Sequence, residues 1–215
     1  MELASFSILD VVIHLDAYLD AVVAAYGVAV YAILFLIIFC ETGLVVAPFL
    51  PGDSLLFAAG AVAAGSGGLS TPILVPLLLA AAVFGDTVNY MIGKFAGEKI
   101  LARYPRLVRP DHLRRTYQFF DRYGSKTIIL CRFVPIVRTL APFVAGAGAM
   151  AYPRFMRANI MGAVIWVTLF VFAGYFFGKI PFVARNFSLV ILGVVLVSFL
   201  PALIEFWRAR RRQST

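Results

Sequence analysis

Three stretches of 21 residues, at 73–93, 158–178 and 187–207, hold between them two acidic residues and no basic one. A helix of about 20 apolar residues, rising 1.5 Å per residue, crosses the ~30 Å hydrocarbon core of a bilayer. A chain with three such runs is expected to fold as an integral, all-α membrane protein. Its composition agrees: 62% of the 215 residues are hydrophobic, only 14% are charged, and the mean hydropathy is +0.92. A soluble domain is nearer half apolar and a quarter charged. Residues 1–93 contain no Lys or Arg, so the basic n-region of a secretory signal is missing and none is expected.

Charge is divided sharply along the chain. Seven acids (Glu2, Asp10, Asp16, Asp20, Glu41, Asp53, Asp86) and no base occupy residues 1–93, whereas all 19 bases lie in 94–215 with four acids. Basic loops of membrane proteins stay on the cytoplasmic side. The loop at 94–126 and the tail with Arg208, Arg210, Arg211 and Arg212 are therefore expected inside, with 73–93 running inward and 65–71 (GSGGLST) forming an outer loop. These bases follow the ends of membrane segments rather than any RNA- or DNA-reading pattern, so no nucleic-acid partner is expected. Residues 1–25 place Asp10, Asp16 and Asp20 among Ile, Val and Leu at helical spacing, which predicts an N-terminal amphipathic helix. Its side of the membrane stays open.

Chemical apparatus of the soluble-enzyme kind is missing from the sequence. Cys40 and Cys131 form no CxxC or Cys/His metal spacing, and His14 and His112 read as interfacial surface. No GxSxG, Walker loop, HExxH or GxGxxG occurs. The expectation is a non-enzyme with no metal and no cofactor.

The proline-broken stretches carry more information. CETGLVVAPFLPGD (40–53) sits between the short apolar runs 27–40 and 54–64. Fourteen helical residues reach only ~21 Å, too short to span. Two such pieces around a break predict a re-entrant hairpin (27–64) with its mouth outside and its tip, 41–53, near the midplane. The second half repeats the plan: 123–131 enters from the basic side, CRFVPIVRTLAPF breaks with Pro135 and Pro142, and VAGAGAM returns, a hairpin over 118–150. A spanning helix follows each. FCETG…APFLPGD matches LCRFVP…APFVAG, and FGDTVNYMIGKFAG matches MGAVIWVTLFVFAG. Two hairpins entering from opposite faces make two inverted-topology repeats, a common plan of secondary transporters. The domain reading is thus an N-terminal helix (1–25), a core (26–180), and a last transmembrane helix with basic tail (181–215). A plainer alternative makes 26–47 one span followed by an outer loop.

An ionisable group at the bilayer centre costs roughly 2.5–3.5 kcal/mol by insertion scales, so it pairs or lines a polar path. The first hairpin brings Glu41 and Asp53, the second Arg132 and Arg138. The arginines offer planar forks of donors suited to phosphate, and the carboxylates can exchange a proton. Helix starts after Pro51-Gly52 and Pro142 add backbone donors for an anion, and Asp53 suits an N-cap. Asp86 and Asn89, on one face of the first spanning helix, and Asn159 on the next are candidates for lining the pathway, or equally for helix–helix hydrogen bonds. Gly93xxxGly97 and Gly174xxxGly178 read as close-packing sites, and Cys40 and Cys131 as small packing residues.

On ETGLVVAPFLPGD, GDTVNYMIGKFAGEK and FFDRYGSKTIILCRFVPIVRTLAPFVAGAGAMAYPRFMRANIMGAVIW, in that order, the sequence resembles the DedA family, whose proteins carry the VTT domain. The likeness covers about residues 20–180. It implies a multi-pass protein of the bacterial inner membrane with opposed re-entrant hairpins. It also implies lipid movement between leaflets driven by a proton or sodium gradient, with the family's key acids and arginines falling on Glu41, Asp53, Arg132 and Arg138. The expected function is a flippase for a phosphate-bearing lipid, undecaprenyl phosphate before other phospholipids. Arg132 and Arg138 would hold the phosphate, and Glu41 and Asp53 would carry the coupling ion. Phosphatidylethanolamine scrambling, proton-coupled small-ion antiport and a non-transporting role in membrane homeostasis are the alternatives. A homo-oligomer stays open.

Overall fold

A computed structural model describes residues 25–44, 52–65, 68–103 and 110–178, with single positions at 23, 180, 183, 189, 190 and 193. Apart from those scattered positions, the expected N-terminal helix, residues 45–51 of the first hairpin's expected tip (41–53), the run at 187–207 and the basic tail lie outside the described residues. Every regular element among the described residues is helical: α1 (Ala29–Gly43), α2 (Gly52–Gly65), α3 (Thr71–Arg103), α4 (Pro110–Tyr123), α5 (Thr127–Leu130), α6 (Pro135–Val144) and α7 (Tyr152–Phe177). Turns of 3-10 helix at Gly124–Lys126 and Cys131–Phe133 flank α5, and a π-helical turn, Ala145–Ala149, follows α6.

Length separates these helices into two kinds. Residues 71–97 of α3 and the 26 residues of α7 are long and apolar enough to cross a membrane. In contrast, α1 has 15 residues and α2 has 14, about 22 and 21 Å, which falls short of the ~30 Å core. Periodicity then decides which face each helix buries. On α1, Val30, Leu34, Ile38 and Glu41 form one buried stripe at steps of four, four and three, while Leu36 points outward. On α3, Leu74, Leu78, Ala82, Asp86, Asn89 and Tyr90 continue a buried stripe, leaving Ile73, Phe84 and Val88 exposed. Two polar residues on α3 and one on α1 thus occupy positions the pattern reserves for the core.

The chain divides into two compact units. One comprises Met1–Phe35, Pro51–Leu78 and Val167–Val197, and the other Leu36–Leu50, Leu79–Trp166 and Ser198–Thr215. In the first, α2 lies against the end of α7 with no room for side chains between them. A Cβ added at Gly174 would strike the Phe57 carbonyl, and one at Gly60 would strike that of Val171. A Cβ at Gly178 would come 2.6 Å from that of Ala61. The Ser70 amide also donates to the Tyr31 hydroxyl at 2.6 Å.

In the second unit, Tyr90, Ile128, Cys131, Val137, Ala141, Ala145, Phe155 and Ala158 form a buried cluster. The Tyr90 ring stacks on Phe155 at 4.5 Å, and its hydroxyl donates to the Met150 carbonyl at 3.0 Å. Cys131 is a packed thiol there, donating to the Ile128 carbonyl at 3.1 Å. The glycine device recurs: Gly93 meets the Phe143 backbone, Gly146 meets that of Tyr90, and Gly97 faces Ala147. Both GxxxG pairs therefore serve close packing, each against a segment reading FAAGA (57–61) or FVAGA (143–147). This packing places Phe143 in the role of Phe57, whereas the sequence match of APFLPGD with APFVAG had set it opposite Phe49.

The break expected at Pro135 and Pro142 also differs from the expectation. Val134 is extended (φ −124°, ψ 100°) and Pro135 opens α6 at its first turn. Pro142 lies inside α6 and starts no helix, so it offers no new free amides. A proline at the first helical position costs nothing, because the N–H it lacks would have had no partner. Seven residues later, the ring instead removes the helical hydrogen bond to the Arg138 carbonyl.

Candidate functional site

Among the described residues of the second unit, four charged side chains are buried, and they pair across its elements. Glu41 occupies the last turn of α1, one step beyond the apolar stripe that buries it. Arg138 lies in the first turn of α6 and donates through Nη2 to Glu41 Oε1 at 2.7 Å. Arg132 belongs to the 3-10 turn just before the break. Its Nη2 donates to Asp86 Oδ2 on α3 and to Asn159 Oδ1 on α7, the latter at 2.7 Å. Two acids and two bases give this cluster a formal charge of zero, so each buried charge has an opposite charge beside it.

Neutral groups fix the geometry of both pairs. Asn89 Nδ2 donates to the Thr42 carbonyl at 3.2 Å and the Thr139 carbonyl at 2.9 Å. These residues directly follow Glu41 and Arg138, so one amide ties together the two backbones that carry the ion pair. Asn159 Nδ2 donates to the Val83 carbonyl at 3.1 Å, which turns its oxygen toward Arg132. The fully buried Trp166 ring lies under both guanidiniums, 4.3 Å from Arg138 Cζ and 5.6 Å from Arg132 Cζ. Such contacts contribute about 0.5–2 kcal/mol each, the larger value where water is excluded.

One asymmetry distinguishes the arginines. Arg132 is buried, yet its Nε and Nη1 have no hydrogen-bond partner. These atoms carry three of the five guanidinium N–H bonds. Along this edge α7 presents Gly162, where a Cβ would stand 3.0 Å from Nε and 3.1 Å from Cδ. Buried donors left unmatched cost roughly 1–3 kcal/mol each, more when charged. An oxyanion arriving at this edge would recover that energy.

The structure thus brings together Glu41, Asp86, Asn89, Arg132, Arg138 and Asn159. Asp53 belongs to the first unit. It lies inside the first turn of α2, half-buried, one residue past the helix's first, Gly52. An acid in that turn is favoured by the helix dipole. Among these six side chains the acid beside Arg132 is Asp86, which sequence spacing marked only as a pathway candidate. Trp166 and Gly162 were not singled out as site residues. A tryptophan in the middle of a membrane run, away from the interfaces where Trp concentrates, was the available signal for the first. Among the described residues no group of three or more His, Cys, Asp or Glu side chains is placed to hold a metal ion.

Comparison with known proteins identifies the family. The VTT domain matches residues 50–176. The chain is 54% identical over 213 residues to Protein DedA of Escherichia coli strain K12, covering 98% of this chain and 97% of that one. An uncharacterized membrane protein of Mycobacterium tuberculosis is 42% identical over 191 residues, covering 86% and 84%. The inner membrane protein YqjA of E. coli K12 is 34% identical over 188 residues, covering 84% and 85%. No solved structure gives a significant match. With most of its length shared with these relatives, the chain is a membrane protein belonging to the DedA family.

Proposed function

We propose that this protein is a translocase for a phosphate-bearing lipid in the bacterial cytoplasmic membrane, with undecaprenyl phosphate as the first-choice substrate. The observation that carries this reading is the buried guanidinium edge of Arg132, Nε and Nη1, without hydrogen-bond partners where it packs against Gly162. Arg132 and Arg138 hold the phosphate. Glu41 and Asp53 exchange the coupling ion, a proton or sodium. Binding and release need no covalent step, so the protein acts as a transporter and not an enzyme.

In this reading the short helices α1 and α2 form one re-entrant hairpin. The segment from 118 to 150 forms another of opposite entry, making an inverted repeat. The matching glycine contacts of FAAGA and FVAGA support this arrangement. The basic loop 94–126 and the tail face the cytoplasm.

The test is leaflet exchange of undecaprenyl phosphate in proteoliposomes under an imposed proton or sodium gradient. Wild type is expected to accelerate exchange, with Arg132→Ala and Glu41→Gln reduced to the protein-free rate. No exchange by folded wild type would overturn the reading. The pairing of each arginine with a carboxylate favours a second reading, small-ion antiport, with the acids as the ion site. Wild type would then dissipate a pH gradient without moving any lipid.

A further inference from the structure

Asp86 does more in this arrangement than neutralise a charge. Arg132 could engage a carboxylate through two nitrogens, as arginine commonly does, yet Asp86 and Asn159 both bond to Nη2 alone. The remaining two nitrogens stay vacant inside the protein. We propose that Asp86 is an internal competitor for the transported anion, holding Arg132 while no substrate is present and being displaced when a phosphate docks on the guanidinium. This rests on the phosphate-lipid reading above and adds to it the step that releases the substrate.

The geometry gives each neighbour a part. A phosphate oxygen meeting Nε and Nη1 uses donors that Asp86 does not engage, so binding can begin before Asp86 leaves. Asn159 keeps one neutral acceptor on Nη2 throughout. When Asp86 returns it restores the neutral pair and lowers the affinity for the anion, which allows departure to the other leaflet. A site without a competitor would bind more tightly and turn over more slowly, because exchange requires release as well as capture.

Trp166 supplies the readout. It and Trp207 are the only tryptophans, so Trp207→Phe leaves a single tryptophan, under both guanidiniums. The probes are decyl phosphate, inorganic phosphate and decanol, titrated into the full-length chain in lipid nanodiscs. In Asp86→Asn, decyl phosphate is expected to bind at least tenfold more tightly than in its parent. Exchange of labelled phosphate lipid is expected to fall at least tenfold. Quenching by decyl phosphate without quenching by equal inorganic phosphate assigns the anion to a lipid headgroup, and quenching by both assigns it to phosphate of either source. Equal or weaker binding in Asp86→Asn overturns the inference and leaves Asp86 as a positioning residue for Arg132. If neither parent nor variant binds any phosphate, the phosphate-lipid reading falls with it.

A second measurement needs no variant at Asp86. In the wild-type chain, saturating decyl phosphate is expected to raise labelling of Asp86 by a hydrophobic carbodiimide at least threefold, read by mass spectrometry. Unchanged labelling, with binding visible at Trp166, overturns the displacement.

Discussion

Glu41 and Arg138 show what a residue pattern can and cannot reveal. Each is an ion in an apolar segment, and that alone marks it as needing a partner. Their pairing at 2.7 Å is legible from opposite charge on the two breaks. The assignment of Asp86 to Arg132 was not legible, because it depends on how α3 and the 3-10 turn are rotated about their axes. The pair itself yields a prediction. Arg138→Ala leaves a buried carboxylate without its cation, a loss of roughly 3–5 kcal/mol. Thermal unfolding in detergent should show a large drop for Arg138→Ala and for Glu41→Ala, and a much smaller one for the double variant. Lipid exchange should stay lost in all three. Recovery of exchange in the double variant would reduce the pair to scaffolding, and a double variant as unstable as the sum of the singles would show the two side chains to be energetically independent.

Helices α3 and α7 were readable from hydropathy because each is long, continuous and marked by a buried stripe. The breaks were harder. Pro135 and Pro142 look alike in sequence, and only backbone geometry separates a proline that opens a helix from one carried inside it. The glycines reveal a further level of organisation, since FAAGA and FVAGA acquire meaning only through the carbonyls they approach. A Cβ at Gly60 or Gly146 runs into the backbone of the facing helix, while one at Gly65 meets nothing within 4 Å. Backbone cannot yield as a side-chain tip can, and overpacking of this kind costs about 1–3 kcal/mol or more. Gly60→Ala and Gly146→Ala should therefore lower thermal stability by similar amounts. Gly65→Ala should be neutral or slightly stabilising, as alanine is the better helix former. Unfolding curves that left Gly60→Ala and Gly146→Ala at wild-type stability would show that these contacts are slack.

At the scale of the whole chain, the division of charge and the lengths of the helices together specify a topology that can be measured. If α1 and α2 are two limbs of one re-entrant hairpin, residues before α1 and after α2 emerge on the same face. If they are separate spans or one span and a loop, the relation changes. Val28, 82% exposed, precedes α1. Ser70 follows α2 and is exposed, and Ser125 and Ala151, both exposed, flank the second hairpin. Single cysteines at these four positions, in a background with Cys40 and Cys131 replaced by alanine, can be probed with a membrane-impermeant maleimide in intact and permeabilised cells. The positive-inside rule places 125 and 151, beside the basic loop, in the cytoplasm. If α3 crosses once between them, 70 must then react from outside, and a re-entrant first hairpin puts 28 outside as well. Positions 28 and 70 on opposite faces would make the first hairpin a full crossing and restore the plain span at 26–47. Positions 125 and 151 on opposite faces would do the same for the second and remove the inverted repeat. All four on one face would deny that α3 spans the membrane at all. Only the two-and-two pattern leaves both broken segments re-entrant, the arrangement that can expose one buried arginine site to either leaflet in turn.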